Sequence, residues 1–150
     1  MPVSAALTAL VCLVISVHDG DTLTVRCASA VAPEIQRIRI SAIDAPERKQ
    51  AYGQRSRTQL ARLCLRQQAY IQPVDRDDYG RTVARVRCAG QDVATSQVRA
   101  GMAWVYTQYA QGQPQLADLE QQARAQRQGL WAQRRPVAPW EYRHRRRAAR

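Results

Sequence analysis

The sequence predicts an α+β fold, a five-stranded Greek-key β-barrel of the OB type with three α-helices. Three observations carry this: five segments alternate with period two, a helical segment stands between the third and fourth, and two further helical segments follow the fifth. The first strand places Val11, Leu13, Ile15 and Val17 in alternation, then meets the turn His18-Asp19-Gly20-Asp21. The second is Thr22 to Cys27, and an Asp-Gly pair between two such runs signals a hairpin. With Asp19 and Gly20 as the central pair, Cys12 faces Cys27.

The third strand, Gln36 to Ile43, sets Ile38, Ile40 and Ala42 on one face and Arg37, Arg39 and Ser41 on the other. The first helix covers Tyr52 to Leu65, with Leu60, Leu63 and Cys64 apolar among arginines, and breaks near Gln67. Ala69 to Val74 and Arg81 to Cys88 supply the last two strands, joined by the polar loop Asp75 to Gly80. Asp92 is an N-cap for a short helix ending at Gly101, and Pro114 opens a last helix that runs to about Gln128 before Gly129. Trp131, Pro136, Pro139 and Trp140 read as an extended segment, and Tyr142 to Arg150 as a frayed basic tail. Residues 1–133 thus form one domain and 134–150 an Arg-rich C-terminal extension.

At 150 residues and 45% hydrophobic, the chain has material for one core, which excludes a multidomain machine and a disordered chain. No apolar stretch is long enough to span a bilayer: Val3 to Val17 already contains Ser4, Thr8 and Ser16. Stable membrane insertion is not expected. The net charge is +11, and removing the last 17 residues, with seven Arg and one Glu, still leaves +5. A basic body points to a polyanion, nucleic acid before an anionic membrane surface, with a merely solubilising charge as the alternative.

Seven of the twelve acids fall in three groups: Asp19 and Asp21, Asp44 and Glu47, then Asp75, Asp77 and Asp78. Acids clustered in a basic protein suit a hard cation held by oxygens, although Asp-Gly-Asp and Asp-Asp-Tyr-Gly are also turn sequences. On the strand layout, Asp21 falls at the first hairpin turn and Asp44 in the loop that ends strand three, so the two carboxylates come from separate segments. They form a minimal protein share of a Ca²⁺ or Mg²⁺ site. Cleaving a phosphodiester further needs a positioned water, which Glu47 can supply, and cationic donors, which Arg39 and Arg81 can supply.

The blocks Val17 to Leu23, Arg39 to Glu47 and Asp77 to Arg81 resemble the three signature blocks of the thermonuclease (staphylococcal nuclease-like) family. The similarity runs from about residue 10 to Trp131 and includes Tyr52-Gly53, Val98 to Gly101 and Gly129 to Trp131. The resemblance implies a Ca²⁺-dependent nuclease of DNA and RNA on an OB-fold, leaving 3′-phosphate ends, with Mg²⁺ or another divalent ion as a substitute. It implies Asp21 and Asp44 as metal carboxylates and the backbone carbonyl of Ala45 as a further ligand. The best-known member has Thr at the position of Ala45. Glu47 would activate or orient the attacking water, and Arg39 and Arg81 would clasp the scissile phosphate. Asp19 and Asp77 would support those groups, and Tyr79 would lie near the nucleotide phosphate. Tyr106 and Tyr109 fall near another tyrosine of the nucleotide pocket.

Trp104, Trp131 and Trp140 read as packing residues, and His18 and His144 lack partners at ligand spacing. Cys12, Cys27, Cys64 and Cys88 have no C-x-x-C spacing. Two readings stand: disulfides Cys12–Cys27 and Cys64–Cys88, or four buried thiols. Met1 to Ile15 is apolar without a basic start, and periplasmic or secreted location is an expectation drawn mainly from the resemblance. A monomer without an obligate protein partner is expected. Two rival readings remain beside the nuclease: a catalytically silent OB-fold that binds nucleic acid, and a polyanion binder working through its Arg tail.

Overall fold

Strand β1 (Leu10–Asp19) pairs antiparallel with β2 (Thr22–Cys27), and β2 with β3 (Glu34–Ile40), in the computed structural model, which describes residues 9–29 and 31–150. The apolar start Met1 to Thr8 lies outside the described residues. On its other side β1 pairs with β5 (Gln68–Arg76), and β5 with β6 (Thr82–Cys88). A parallel pairing of β3 with β6 closes these five strands into the expected barrel. Closure removes the unpaired strand edges that would otherwise template aggregation.

The hairpin departs from expectation in a way that matters for the site. Asp19 faces Thr22, so Gly20 and Asp21, not Asp19 and Gly20, are the central pair of the turn. Two register shifts in β1, between Val14 and Ser16 and between Val17 and Asp19, each insert one residue. Farther from the turn the register is as expected, and Cys12 faces Cys27. Gly20 tolerates no side chain: a Cβ there would sit 1.7 Å from the Ser56 Oγ and 2.9 Å from the Ala45 Cβ.

β3 ends earlier than its alternation suggests. The Ser41 N–H still donates to the Ala84 carbonyl at 2.9 Å, but Ala42 takes φ 72° and turns the chain. Ile43–Asp44 then forms β4, which pairs with β8 (Trp104–Val105) in a separate ribbon. A two-residue strand β7 (Gln91–Asp92) extends β6 outside the barrel.

Helix α1 (Gly53–Cys64) lies against β1, and α2 (Val93–Arg99) starts at Asp92, whose side chain accepts from the Thr95 N–H at 3.0 Å. α3 (Gln115–Ala125) stops three residues earlier than expected. Arg127 takes the left-handed φ of 53°, and Gly129 instead lies against Gly101, where the Leu130 N–H donates to the Gly101 carbonyl at 2.8 Å.

A fourth helix corrects the expected three. The segment read as a frayed tail folds into α4 (Pro139–Ala148), with Pro139 in its first turn, Glu141 near its N-terminus and Arg145, Arg146 and Arg147 in its last turn. These are favourable placements for the helix dipole. Trp140 packs on Trp104 and Tyr106, with ring centroids 5.5 and 6.0 Å away, and the Gln50 side-chain amide donates to the Val137 carbonyl at 2.6 Å. Among the described residues, no helix is long and apolar enough to cross a membrane.

The core fills the barrel with Val14, Leu23, Val25, Ile38, Ile40, Ile71 and Val86 and is capped by Leu60 of α1 and Leu116 of α3. A smaller cluster joins Ala123, Leu130 and Trp131 to Tyr52 and Trp104, with the Arg124 guanidinium 4.1 Å from the Trp131 ring centroid. The three tryptophans therefore do act as packing residues. All four cysteines are joined, as Cys12–Cys27 across the first hairpin and Cys64–Cys88 between the end of α1 and β6, which disposes of the free-thiol reading.

Candidate active site

The hairpin turn, the loop after β3, the start of β6 and α4 converge on a cleft of about 530 Å³. Four acids line it (Asp19, Asp21, Asp44 and Glu47), together with five arginines (Arg37, Arg39, Arg81, Arg143 and Arg147) and Tyr79. Seven of these ten are residues that the sequence motifs point to. Arg37, Arg143 and Arg147 carry no such signal in the sequence.

Asp21 is almost fully buried in the turn between β1 and β2. Its Oδ1 accepts from the Thr22 hydroxyl at 2.9 Å and its Oδ2 from the Ala45 N–H at 2.7 Å. That second bond fastens the hairpin to the loop carrying Asp44. Burial raises the Asp21 pKa, but the Arg39 guanidinium and these donors outweigh it and hold the group below the usual carboxylate range. Asp19, whose Oδ1 accepts from the Asp21 N–H at 3.1 Å, is driven up to about 8 by burial and by the neighbouring Asp21 charge.

Asp44 is placed by the β4–β8 ribbon and is 2% exposed. The Arg39 guanidinium stands between the two aspartates, its Nη1 3.4 Å from the Asp21 Oδ2 and its Nη2 3.6 Å from the Asp44 Oδ1. Burial raises the Asp44 pKa despite the arginines around it. What the structure shows of Ala45 is its amide, which serves Asp21.

Glu47 sits where the chain leaves this loop. Its N–H donates to the Gln50 Oε1 at 3.1 Å, and a Cβ on Gly53, the first residue of α1, would come within 1.9 Å of the Glu47 carbonyl oxygen. α1 begins against this loop because the residue there has no side chain.

The opposite wall is more open. Arg81 at the foot of β6 donates from its Nε to the Asp77 Oδ2 at 2.6 Å, and Asp77 Oδ1 accepts from the backbone N–H groups of Arg81 and Tyr79 at 2.9 and 3.0 Å. Asp77 does not line the cleft, and it aims the residue that does. Tyr79 is 84% exposed at the rim, with the Arg81 guanidinium 5.6 Å from its ring centroid. Tyr106 packs on Trp140 rather than lining the cleft, and the Tyr109 side chain lies outside the described ones. His18 hydrogen-bonds the Thr24 hydroxyl at 2.7 Å away from the cleft, and His144 does not line it.

Two supporting residues escaped the sequence reading. Gln97, fully buried on α2, donates to the carbonyls of Gly20 and Ser56 at 2.8 and 3.1 Å, and so holds the turn of Asp21 against α1. Arg143 of α4 reaches into the cleft, with its Nη2 2.8 Å from the Asp44 Oδ2 and its Nη1 2.7 Å from the Glu47 Oε1 and 3.2 Å from the Asp44 Oδ1. A buried glutamine and a tail arginine give no spacing signal in one sequence.

Fold and site together define a small OB barrel whose mouth presents carboxylates and arginines to a charged ligand. The chain matches the staphylococcal nuclease homologue family model over residues 37–133, and it belongs to that family. It is 41% identical over 133 residues to a protein of Escherichia coli O157:H7 named an uncharacterized endonuclease, covering 88% of this chain and 84% of that one. A protein of Shigella flexneri named micrococcal nuclease is 38% identical over 142 residues, covering 87% and 78%. A Haemophilus influenzae protein, also named an uncharacterized endonuclease, is 36% identical over 132 residues, covering 88% and 72%.

Proposed function

We propose that this nuclease hydrolyses the phosphodiester bonds of DNA, RNA or both with the aid of a divalent cation, most naturally Ca²⁺. The observation that carries the reading is the convergence of Asp21, Arg39, Asp44, Glu47 and Arg81 from separate chain segments on one cleft. The family and the endonuclease and micrococcal nuclease relatives support nucleic acid as the substrate.

The donor set suits a hard cation. Asp21 and Asp44 are buried carboxylates from two segments, and a single guanidinium bridges both. Among the described residues no group of three or more His, Cys, Asp or Glu is gathered for a metal. The remaining ligands would therefore be the Ala45 carbonyl, water and substrate phosphate. When bound, the cation offsets phosphate charge and polarises the phosphorus.

The chain's own groups account for the rest. Glu47 orients a water and accepts its proton at a carboxylate oxygen as the water oxygen bonds to phosphorus. The bond from phosphorus to the 5′ oxygen breaks, and that oxygen takes up a proton from solvent water, which leaves a 3′-phosphate and a 5′-hydroxyl. Arg39 and Arg81 meet the charge that grows on the phosphoryl oxygens, and a guanidinium offers paired donors without deprotonating. Asp77 keeps Arg81 in place, Asp19 supports the hairpin turn, and Tyr79 stacks at the rim beside the nucleotide. We further propose a monomeric enzyme, and an exported one because two disulfides of this kind persist in oxidising compartments.

The test is cleavage of labelled single-stranded DNA and RNA in matched reactions with Ca²⁺, Mg²⁺ or a chelator. Cutting with Ca²⁺ that the chelator abolishes, giving 3′-phosphate ends, is the expected result. Tight binding without cutting under any metal would turn the reading to a silent nucleic-acid binder.

A further inference from the structure

Asp44 and Glu47 are already occupied by a cation that belongs to the chain. The Arg143 fork meets both oxygens of Asp44 and the Oε1 of Glu47, three contacts between 2.7 and 3.2 Å. Paired N–H to carboxylate contacts of this kind are the strong form of the ion pair, and Asp44 is buried. The arginine does not arrive by chance of a loose tail. α4 is anchored two ways on the elements that carry the same acids: Trp140 packs on Trp104, the strand partner of Asp44, and Val137 accepts from Gln50, which also holds the Glu47 N–H. Arg143 lies three residues beyond Trp140, one helical turn along, which brings it over the cleft.

A guanidinium forked across both oxygens of Asp44 takes the carboxylate's bidentate face and sets a positive charge where a second cation would sit, so the two compete for that face. We infer that Arg143 is a built-in competitor of the divalent cation. It holds Asp44 and Glu47 in the ion's absence, and it must withdraw from Asp44 for the ion to enter. This rests on the metal-dependent reading above, and it makes α4, which lies beyond the family match at residues 37–133, a part of the site that sets its cation affinity. The occupied state lowers apparent ion affinity by the fraction of molecules in which Arg143 has let go. It also protects a buried carboxylate that would otherwise stand beside only the more distant Arg39.

The experiment is calorimetric titration of Ca²⁺ into the full chain without nucleic acid, comparing the wild type with Arg143→Ala and with Asp44→Asn as the variant lacking a ligand. Arg143→Ala is expected to bind Ca²⁺ roughly tenfold more tightly or better, with a larger Ca²⁺-induced rise in melting temperature than the wild type. Should Arg143→Ala fold poorly without the ion, Arg143→Lys decides. It keeps one charge on a flexible stem without the fork, and it should bind Ca²⁺ more tightly than the wild type. Equal or weaker ion binding in the arginine variants, with binding lost in Asp44→Asn, would overturn the competitor role while leaving the metal site intact. No Ca²⁺ binding by any form, repeated with Mg²⁺, would overturn both.

Discussion

The two walls of the cleft are built on different plans. The carboxylate wall is buried and tied several ways: Asp21 is fastened by Thr22 and Ala45, its turn by Gln97, and Asp44 by the β4–β8 ribbon. The phosphate wall is open, with Tyr79 exposed at the rim and Arg81 held by one carboxylate. A cation site requires oxygens preset to within a fraction of an ångström, because repulsion between buried acids must be offset before the ion arrives. A clamp for a long flexible polyanion must admit its substrate sideways, so its arginine sits at a strand foot next to a loop. The lesson is that rigidity is concentrated where like charges meet, and openness where the substrate enters.

The sharpest way to break this comparison is at Glu47, which faces the carboxylate wall but acts on water. Glu47→Gln keeps the size and the backbone N–H bond to Gln50, so nucleic acid should bind as before. Turnover should fall by about 10² to 10⁴, the usual contribution of a positioned base. Single-turnover cleavage with a parallel binding assay checks this, and unchanged turnover removes Glu47 from the chemistry. Next comes Gly53→Ala. Its Cβ would be driven to 1.9 Å from the backbone carbonyl oxygen of Glu47, which cannot swing aside as a side chain would, and the cost should be about 2–3 kcal/mol of stability. Urea unfolding measures it, and a loss below about 0.5 kcal/mol would mean that the carboxylate wall gives way more easily than its ties suggest.

Much of this was legible in the sequence, and the exceptions have physical causes. The five barrel strands, α1 to α3 and the Asp92 cap follow from period, punctuation and capping residues, because there local preference and tertiary packing agree. The hairpin turn lies one residue beyond the Asp19-Gly20 pair, and because the two insertions in β1 together offset that displacement, the register is as expected only at the end carrying Cys12. β3 was drawn too long because Ala42 adopts a positive φ that nothing in an apolar alternation announces. The first-wall acids and arginines were visible as motif blocks. α4 was missed although Pro139, Glu141 and the run Arg145 to Arg147 follow helix-terminal preferences, because the charge run invited a reading as solvated tail. No pattern local to residues 139–148 could indicate that Arg143 ends on Asp44, 99 residues earlier.

The smallest effect expected lies on the open wall, at Asp77. Partial burial works to raise its pKa, but the Arg81 backbone N–H, the Arg81 guanidinium and the Tyr79 N–H together hold it below the usual carboxylate range. A carboxylate depressed on folding stabilises the protein above its unfolded pKa, and that contribution fades as pH falls through the folded value. Asp77→Asn should therefore cost on the order of 1 kcal/mol at neutral pH, and the gap from the wild type should close in acid, below about pH 4. Denaturant melts of both proteins at several pH values measure this. Asp77 touches neither cleft nor substrate, so its effect on cleavage must pass through Arg81. In an Arg81→Ala background, Asp77→Asn should cost no further activity. An additive loss of turnover in the double variant would show Asp77 acting on its own account, and the open wall would then rest on more than one tether.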